Sequence, residues 1–316
     1  MYWPVELYSF GKCYRDWLNL PFWAPLPLYG DHGVNVRSGG LAKHEQEAKP
    51  KTFLTWDKRR VASLRKEAKK KIIHIRHPWV TYRRKHGLKL KKEARGTLIF
   101  YSHSNAGIEI LDHDWNKYFL ELKALPDEFH PLVICMHRHD IQKGYHKTAK
   151  KHALPIISAG ETSSPYFVDR FYDMISKFKF ATSNSGGSEL FYCEEFGVRY
   201  FIMGEKPKYF NFTDEQIKKG VMQPENSHAK YLENTKRRLF MQYPPLQSDE
   251  KIRFVSETLG LDIDPQVSRN LMQKSLRSEY LRHPSEILIN LFLTFCRLFL
   301  PLGFLKLAKQ FNENRH

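Results

Sequence analysis

The chain has 316 residues, 41% apolar and 14% aromatic, and carries a formal net charge of +17. That supplies core enough for one large or two ordinary domains and excludes broad disorder. The charge asks for an acidic partner: nucleic acid, an anionic membrane face and phosphorylated small molecules all qualify.

The start, Met1-Tyr-Trp-Pro, has no basic or apolar signal region, so no secretory leader is expected. Residues 1–60 are rich in aromatics and prolines, and Pro21, Pro25 and Pro27 break any long helix there. Leu26–Tyr29 reads as a short strand running into Gly30-Asp-His-Gly33, with further strands at Phe53–Trp56 and Ile72–Ile75 around a basic helix near Lys58–Lys70. The basic run Lys58–Lys92 reads either as a solvated helix and linker face or as a surface for a membrane or an acceptor phosphate. Residues 84–96, charged and poor in apolar side chains, form the best linker.

From Gly96 strands and helices alternate. Thr97–Tyr101, Pro131–Met136, Leu154–Ser158, Phe180–Thr182 and Arg199–Met203 read as strands. Trp115–Leu125, Lys143–His152, Phe167–Phe178 and Glu189–Phe196 read as the helices between them, the last stopped by Gly197. Such alternation predicts a parallel sheet with right-handed crossovers, with ligands bound at the carboxyl ends of its strands. Asp214–Gly220 and His228–Met241 are expected to be helical, Tyr243-Pro-Pro245 to stop the second, and short helices to follow. The apolar segment Ile287–Leu305 is long enough to span a bilayer, but Asn290, Thr294 and Arg297 form a polar stripe and Pro301 interrupts it. A central arginine costs about 2.5–3.5 kcal/mol on insertion. Peripheral membrane contact, a soluble packing helix and a true span all stay open, in that order. Cys13, Cys135, Cys193 and Cys296 are scattered without a CxxC pair, which reads as reduced cytosolic thiols.

The strand-end turns carry the chemistry. Ser183–Ser188, two glycines among hydroxyls before a helix, lets backbone approach a ligand and points free N–H groups at an anion. Ser183, Ser185, Gly186, Gly187 and Ser188 are therefore donor-binding candidates, and Glu189 either caps the helix or accepts from ribose hydroxyls. Ser102, His103 and Ser104 after the first strand suit a phosphate, or equally a capped helix start. His137, Arg138 and His139 follow the second strand, with the arginine suited to a diphosphate. Glu161, after the third, suits a base or ribose, although an ordinary turn also explains it. His32, between Asp31 and Gly33, suits a base near neutral pH, or is a turn histidine without chemistry. No ligand set accompanies His137 and His139, so no metal is expected. Walker A, GxGxxG and GxSxG sequences are absent.

These residues resemble the GT-B-type glycosyltransferases of bacterial surface polysaccharide (capsule and lipopolysaccharide) synthesis and the related CDP-glycerol glycerophosphotransferases. The resemblance covers residues 26–207. It rests on His32-Gly33, the serine/histidine turn Ser102–Asn105, the basic turn His137-Arg-His139, the Ser183–Ser188 turn and Phe196-Gly-Val-Arg-Tyr-Phe-Ile202. Arg199 stands where proline is usual, and no proline follows His137 or His139, although His77-Pro78 occurs earlier. The resemblance implies an α/β, GT-B-like fold with two Rossmann-like parallel-sheet domains. The N-terminal acceptor-side domain (residues 1–83) is reduced. A linker (84–96), a nucleotide-sugar-binding domain (97–210) and a helical region with an amphipathic tail (211–316) follow, and the last helices cross back onto the first domain.

The implied activity is metal-independent transfer from a nucleotide-sugar donor, which is substrate rather than cofactor, to a glycan or glycolipid acceptor. Donor phosphates would sit on Ser183–Ser188 with Arg138 and His137 balancing charge, and His32 would deprotonate the acceptor. The basic surface and apolar tail would hold the enzyme on the cytoplasmic, anionic face of the inner membrane. Glycerophosphate transfer on the same architecture is the alternative. A nucleotide-sugar epimerase leaves the charge and tail unexplained. A nucleic-acid-binding protein lacks a recognition motif, so no nucleic acid is expected; a non-catalytic membrane scaffold is the remaining reading.

Overall fold

The computed structural model describes residues 4–34, 40–41, 43–102, 109–111, 113–210 and 227–299. The first helix, α1 (Phe10–Leu18), lies ahead of the prolines that the sequence reading took to break this region. Phe10, Cys13, Tyr14, Trp17 and Leu18 recur at helical spacing and are all buried, so an amphipathic face forms a short helix that the sequence reading did not place.

A three-stranded parallel sheet follows, in the order β1 (Tyr29–Gly30), β2 (Thr52–Thr55), β3 (Lys71–His74). The short helix α2 (Lys43–Glu47) precedes β2, and α3 (Lys58–Glu67) makes the crossover to β3. The Asp57 side chain caps α3 by accepting from the Arg59 amide. Next comes α4 (Pro78–Lys85), with proline in its first turn and the His77 side chain as its cap.

The second sheet is built by β4 (Thr97–Phe100), β6 (Leu132–Cys135), β7 (Ile156–Ile157), β8 (Phe180–Ser183) and β9 (Arg199–Ile202). All pairings are parallel and the spatial order is β7-β6-β4-β8-β9. The chain runs outward one way from β4, returns, and runs outward the other way through β8. The switch point therefore lies between β4 and β8. The intervening helices are α5 (Trp115–Lys123), α6 (Arg138–Gln142), α7 (His146–Lys151), α8 (Phe167–Ile175) and α9 (Ser188–Phe196). An antiparallel ribbon, β5 (Glu109–Leu111) with β10 (Lys208–Phe210), was absent from the sequence reading; its three-residue strands are too short to carry a period.

The last described elements are α10 (Ser227–Phe240), α11 (Asp249–Thr258), α12 (Pro265–Arg282) and α13 (Pro284–Phe299). At 18 residues, α12 is no short helix. It packs on the first sheet. Thr52 Oγ1 donates to Glu279 Oε1 at 3.0 Å, the Arg76 amide to Ser268 Oγ at 3.1 Å and the Tyr280 hydroxyl to the Pro25 carbonyl at 2.7 Å. Gly260, in the turn before α12, has φ +63°, and a Cβ there would stand 2.6 Å from the Ile75 carbonyl oxygen. Glycine alone lets that turn close over the strand ends.

The fold is thus α/β with two parallel sheets, the first reduced to three strands, and a helical C-terminal region. One apolar core joins the halves, running from Leu54, Trp56 and Ile73 through α1, α4, α8 and α9 to Leu98, Ala181 and Tyr200. Residues 88–96 lie on this body, with the Lys91 and Arg95 amides donating to the Ser176 and Lys177 carbonyls. Many cations of the basic run brace the fold rather than face a surface partner. Arg60 is fully buried against Asp31, Arg83 and Arg84 pair with Glu195, and Lys85 pairs with Asp16.

His77 sits in this core between Trp56, Trp79 and Tyr192; its Nδ1 accepts from the Trp79 amide and its Nε2 lies 3.0 Å from the Tyr192 hydroxyl. Burial holds its imidazole well below the ordinary value, and burial pushes Asp31 up to about 6 despite Arg60. The two act in opposite senses. Neutral His77 gives stability that is present above its unfolded value near 6.5 and is lost as pH falls toward its folded value. Asp31 gives stability that is present below its unfolded value near 3.9 and is lost as pH rises through 6. Between about pH 4 and 6 the slopes oppose, each up to about 1.4 kcal/mol per pH unit. Urea denaturation should therefore show Asp31→Asn losing stability with acid more steeply than wild type, and His77→Gln gaining it. Parallel pH profiles for all three would contradict this.

Among the described residues, no helix is long and apolar enough to cross a membrane. In α13, Asn290 and Thr294 bond back to carbonyls of their own helix, while Leu288, Phe292 and Phe295 are exposed. Asp214–Gly220 and Pro301 lie outside the described residues.

Candidate functional site

The switch point gathers the predicted turn. Ser183, at the end of β8, is fully buried, and its Oγ accepts from the Gly186 amide at 2.7 Å and from the Tyr200 hydroxyl at 2.7 Å. It folds the turn from beneath and does not face the crevice. Glu189 turns back on its own helix start: Oε1 accepts from the Gly187 amide at 2.7 Å and from Tyr200 at 3.0 Å. Of the two roles left open for it, the geometry here is that of the cap.

Ser185 Oγ lies 3.0 Å from Ser102 Oγ, joining the ends of β8 and β4, and Ser102 bonds Asn184 at 2.5 Å. The two serines predicted on separate turns are therefore neighbours. His103 and Ser104 lie outside the described residues.

The N-terminal histidine turn reaches the same place. The Val34 amide donates to Ser188 Oγ at 2.9 Å. Gly33, at φ +85°, passes so close that a Cβ would stand 2.7 Å from that hydroxyl. This seats Gly33 and Val34 directly on the first residue of α9, with His32 exposed beside them and its ring 6.2 Å from Tyr29. Asp31 points away, into the buried pair with Arg60, and accepts from Thr55 Oγ1 at 2.5 Å.

His137, Arg138 and His139 stand farther along the same edge. His137 caps α6, its Nδ1 accepting from the His139 amide at 3.3 Å, and the two rings lie 5.0 Å apart. Arg138 pairs with Glu161 across the ends of β6 and β7, so two residues predicted to meet the ligand separately meet each other. No described contact joins this group to the serines.

Three residues at the switch point escaped the sequence reading. Asn184, two-sided between Ser102 and His113, is buried, and its Nδ2 lies 3.0 Å from His113 Nε2. Lys236 of α10 is almost fully buried; its Nζ donates to the Gly186 carbonyl at 2.7 Å and pairs with Glu233 at 2.7 Å. Burial lowers the Lys236 pKa, while Glu233, among Lys236, Lys206 and Arg237, is held down at about 2. The Glu233/Lys236 spacing was visible as an ordinary helical ion pair, and nothing local tied it to a glycine turn 50 residues earlier.

With the Gly186 and Gly187 amides engaged by Ser183 and Glu189, the arrangement offers an anion the next amides of α9, from Ser188 on, one hydroxyl from Ser185 and a buried ammonium behind the turn. Among the described residues, no group of three or more His, Cys, Asp or Glu side chains is placed to hold a metal ion.

No family model matches the chain. No curated protein matches it either. Among solved structures, the wall teichoic acid polymerase TagF is similar over 81% of this chain and 69% of its own, at 11% identity and a TM-score of 0.38. A histidine-to-alanine variant of that polymerase has the same coverage and identity with a TM-score of 0.39. A histidine-to-asparagine variant soaked with CDPG is similar over 82% of this chain and 66% of its own, at 13% identity and a TM-score of 0.35. The likeness is distant.

Proposed function

We propose that this protein is a transferase moving a sugar from a nucleotide-sugar donor to a lipid-linked, lipopolysaccharide or capsule acceptor, without a metal. The observation that supports it most is the contact of Val34 and Gly33 with Ser188, which sets an exposed histidine beside the first residue of α9 at a topological switch point. In this reading Ser185 and the Ser188 amide hold the donor diphosphate, with Lys236 adding positive charge from behind. His32 takes the proton of the acceptor hydroxyl, and the diphosphate leaves against the α9 dipole. Arg138 and His137 serve the outer part of the donor. A glycerophosphate donor of the CDP-glycerol kind would use the same groups.

Thermal stabilisation by CMP, UDP, GDP, CDP-glycerol and a short oligonucleotide tests this. One nucleotide should stabilise the protein, by about 2.7 kcal/mol at a hundredfold excess over Kd. Ser185→Ala should lose the shift and His32→Ala keep it. A response to CDP-glycerol alone selects glycerophosphate transfer; a response to the oligonucleotide alone ends the transferase reading.

The same proposal seats the enzyme on the anionic inner membrane face through the +17 charge and the exposed Leu288, Phe292 and Phe295. Cosedimentation with phosphatidylglycerol vesicles should fall at least several-fold in Phe292→Asp. An unchanged bound fraction would remove α13 from the membrane contact.

A further inference from the structure

Four side chains at the switch point make one unbroken hydrogen-bonded chain: His113 Nε2 to Asn184 Nδ2 at 3.0 Å, Asn184 Oδ1 to Ser102 Oγ at 2.5 Å, and Ser102 Oγ to Ser185 Oγ at 3.0 Å. Ser102 and Asn184 are both buried. The chain ends at Ser185, half-buried in the crevice beside the first amides of α9.

Such a chain has a direction. An amide donates only from nitrogen and accepts only at oxygen, and a hydroxyl has one proton. In one polarity His113 Nε2 accepts from Asn184, Asn184 Oδ1 accepts from Ser102, and Ser102 accepts from Ser185. The Ser185 proton then points inward and its lone pairs face the crevice. In the other polarity the amide is turned over. His113 Nε2–H donates to Asn184, Asn184 donates to Ser102, Ser102 donates to Ser185, and the Ser185 proton points into the crevice. Nitrogen and oxygen of the amide exchange places and every heavy-atom distance is kept. Only the second polarity suits an anionic ligand, because lone pairs facing an oxyanion repel it and a hydroxyl proton gives it a charge-assisted bond.

We propose that His113 is a positioning residue for ligand recognition: it carries its proton on Nδ1 in the free protein and keeps it there, and a second proton on Nε2 makes Ser185 a donor to an anionic oxygen of the ligand. An anion arriving at Ser185 draws that second proton from solvent, whereas a mere shift of the one proton from Nδ1 to Nε2 would show no uptake. The proposal rests on the donor-site reading above and adds to it a residue and a proton count. The groups facing His113 are the carboxylates of Asp114, Glu121 and Glu205 and the rings of Trp115 and Tyr118. Burial outweighs the carboxylates and lowers the imidazole below its ordinary value, which leaves it neutral at pH 7 and able to take up a proton on binding. Donor affinity therefore rises as pH falls.

The test is calorimetric titration with CDP-glycerol and with UDP-glucose between pH 5.5 and 8, in buffers of different ionisation heat; both diphosphates keep their charge over this range. Wild type should take up a fraction of a proton at pH 7 and bind about tenfold more tightly for each unit by which binding raises the His113 pKa. His113→Leu should bind weakly with no proton uptake. His113→Gln, whose amide is a permanent donor, should bind independently of pH near the acid-side wild-type affinity. In 15N spectra of wild type, the His113 Nε2 resonance should move to the protonated position as donor is added, a readout that does not depend on any variant folding. Donor binding without proton uptake, or with the Nε2 resonance unmoved, would overturn the proposal and leave the donor site standing. Failure of every nucleotide donor to bind the folded protein at any pH would overturn the donor site and this proposal with it.

Discussion

His32→Ala is expected to lower turnover by about 10²–10⁴-fold while leaving donor affinity within a factor of two or three. The ring is exposed and follows strand β1, in a turn fixed by the Val34 amide on Ser188 and by the close passage of Gly33. The turn is thus placed by α9, the helix whose first amides would hold the donor, and removing the imidazole leaves that placement intact. Substrate depletion under single-turnover conditions separates the two quantities. A His32→Ala rate within tenfold of wild type would remove this histidine from the chemistry. Ser188→Val offers a companion: losing the hydroxyl frees the histidine turn, and both turnover and donor affinity should fall.

Arg60→Met should destabilise the protein by about 3–5 kcal/mol, because it strands the buried Asp31 carboxylate beside Thr55. The guanidinium is fully buried and 3.2 Å from Asp31, close to where the first sheet hands the chain to the histidine turn. The double variant with Asp31→Asn should recover much of the loss, since no buried charge then lacks its partner. Urea denaturation at pH 7 decides, and a loss below 1 kcal/mol for Arg60→Met would show the pair to be dispensable.

How much of this was legible depended on whether the cause was local. The alternation after Gly96 placed all five strands of the second sheet to within a residue or two, because buried parallel strands and their crossovers each leave their own period. The glycine-hydroxyl turn was recognisable for the same reason. The direction of its side chains was not: Ser183 and Glu189 have the residue types of ligand-binding groups, yet Tyr200 and the turn's own amides engage them. Arg138 and Glu161 were read one turn at a time, and only the adjacency of β6 and β7 brings them together. Lys236, Asn184 and His113 take their importance from neighbours 50 to 82 residues away, and no window of sequence carries that information. The first helix was missed because its aromatic face, at helical spacing, was read only as part of an aromatic- and proline-rich stretch.

The return of α12 to the first sheet has a consequence for biosynthesis. Strands β1–β3 are complete early, but Met272 and Leu276, which join the core on their inner side, are made some 200 residues later. At about 5–20 residues per second, the ribosome leaves that apolar face uncovered for roughly 10–40 s. A nascent chain in that interval presents short, incompletely paired parallel strands, the kind of surface that chaperones capture and that aggregates when they do not. Yield in the cell should therefore respond more to elongation speed and chaperone supply between codons 75 and 280 than to the melting temperature of the finished protein.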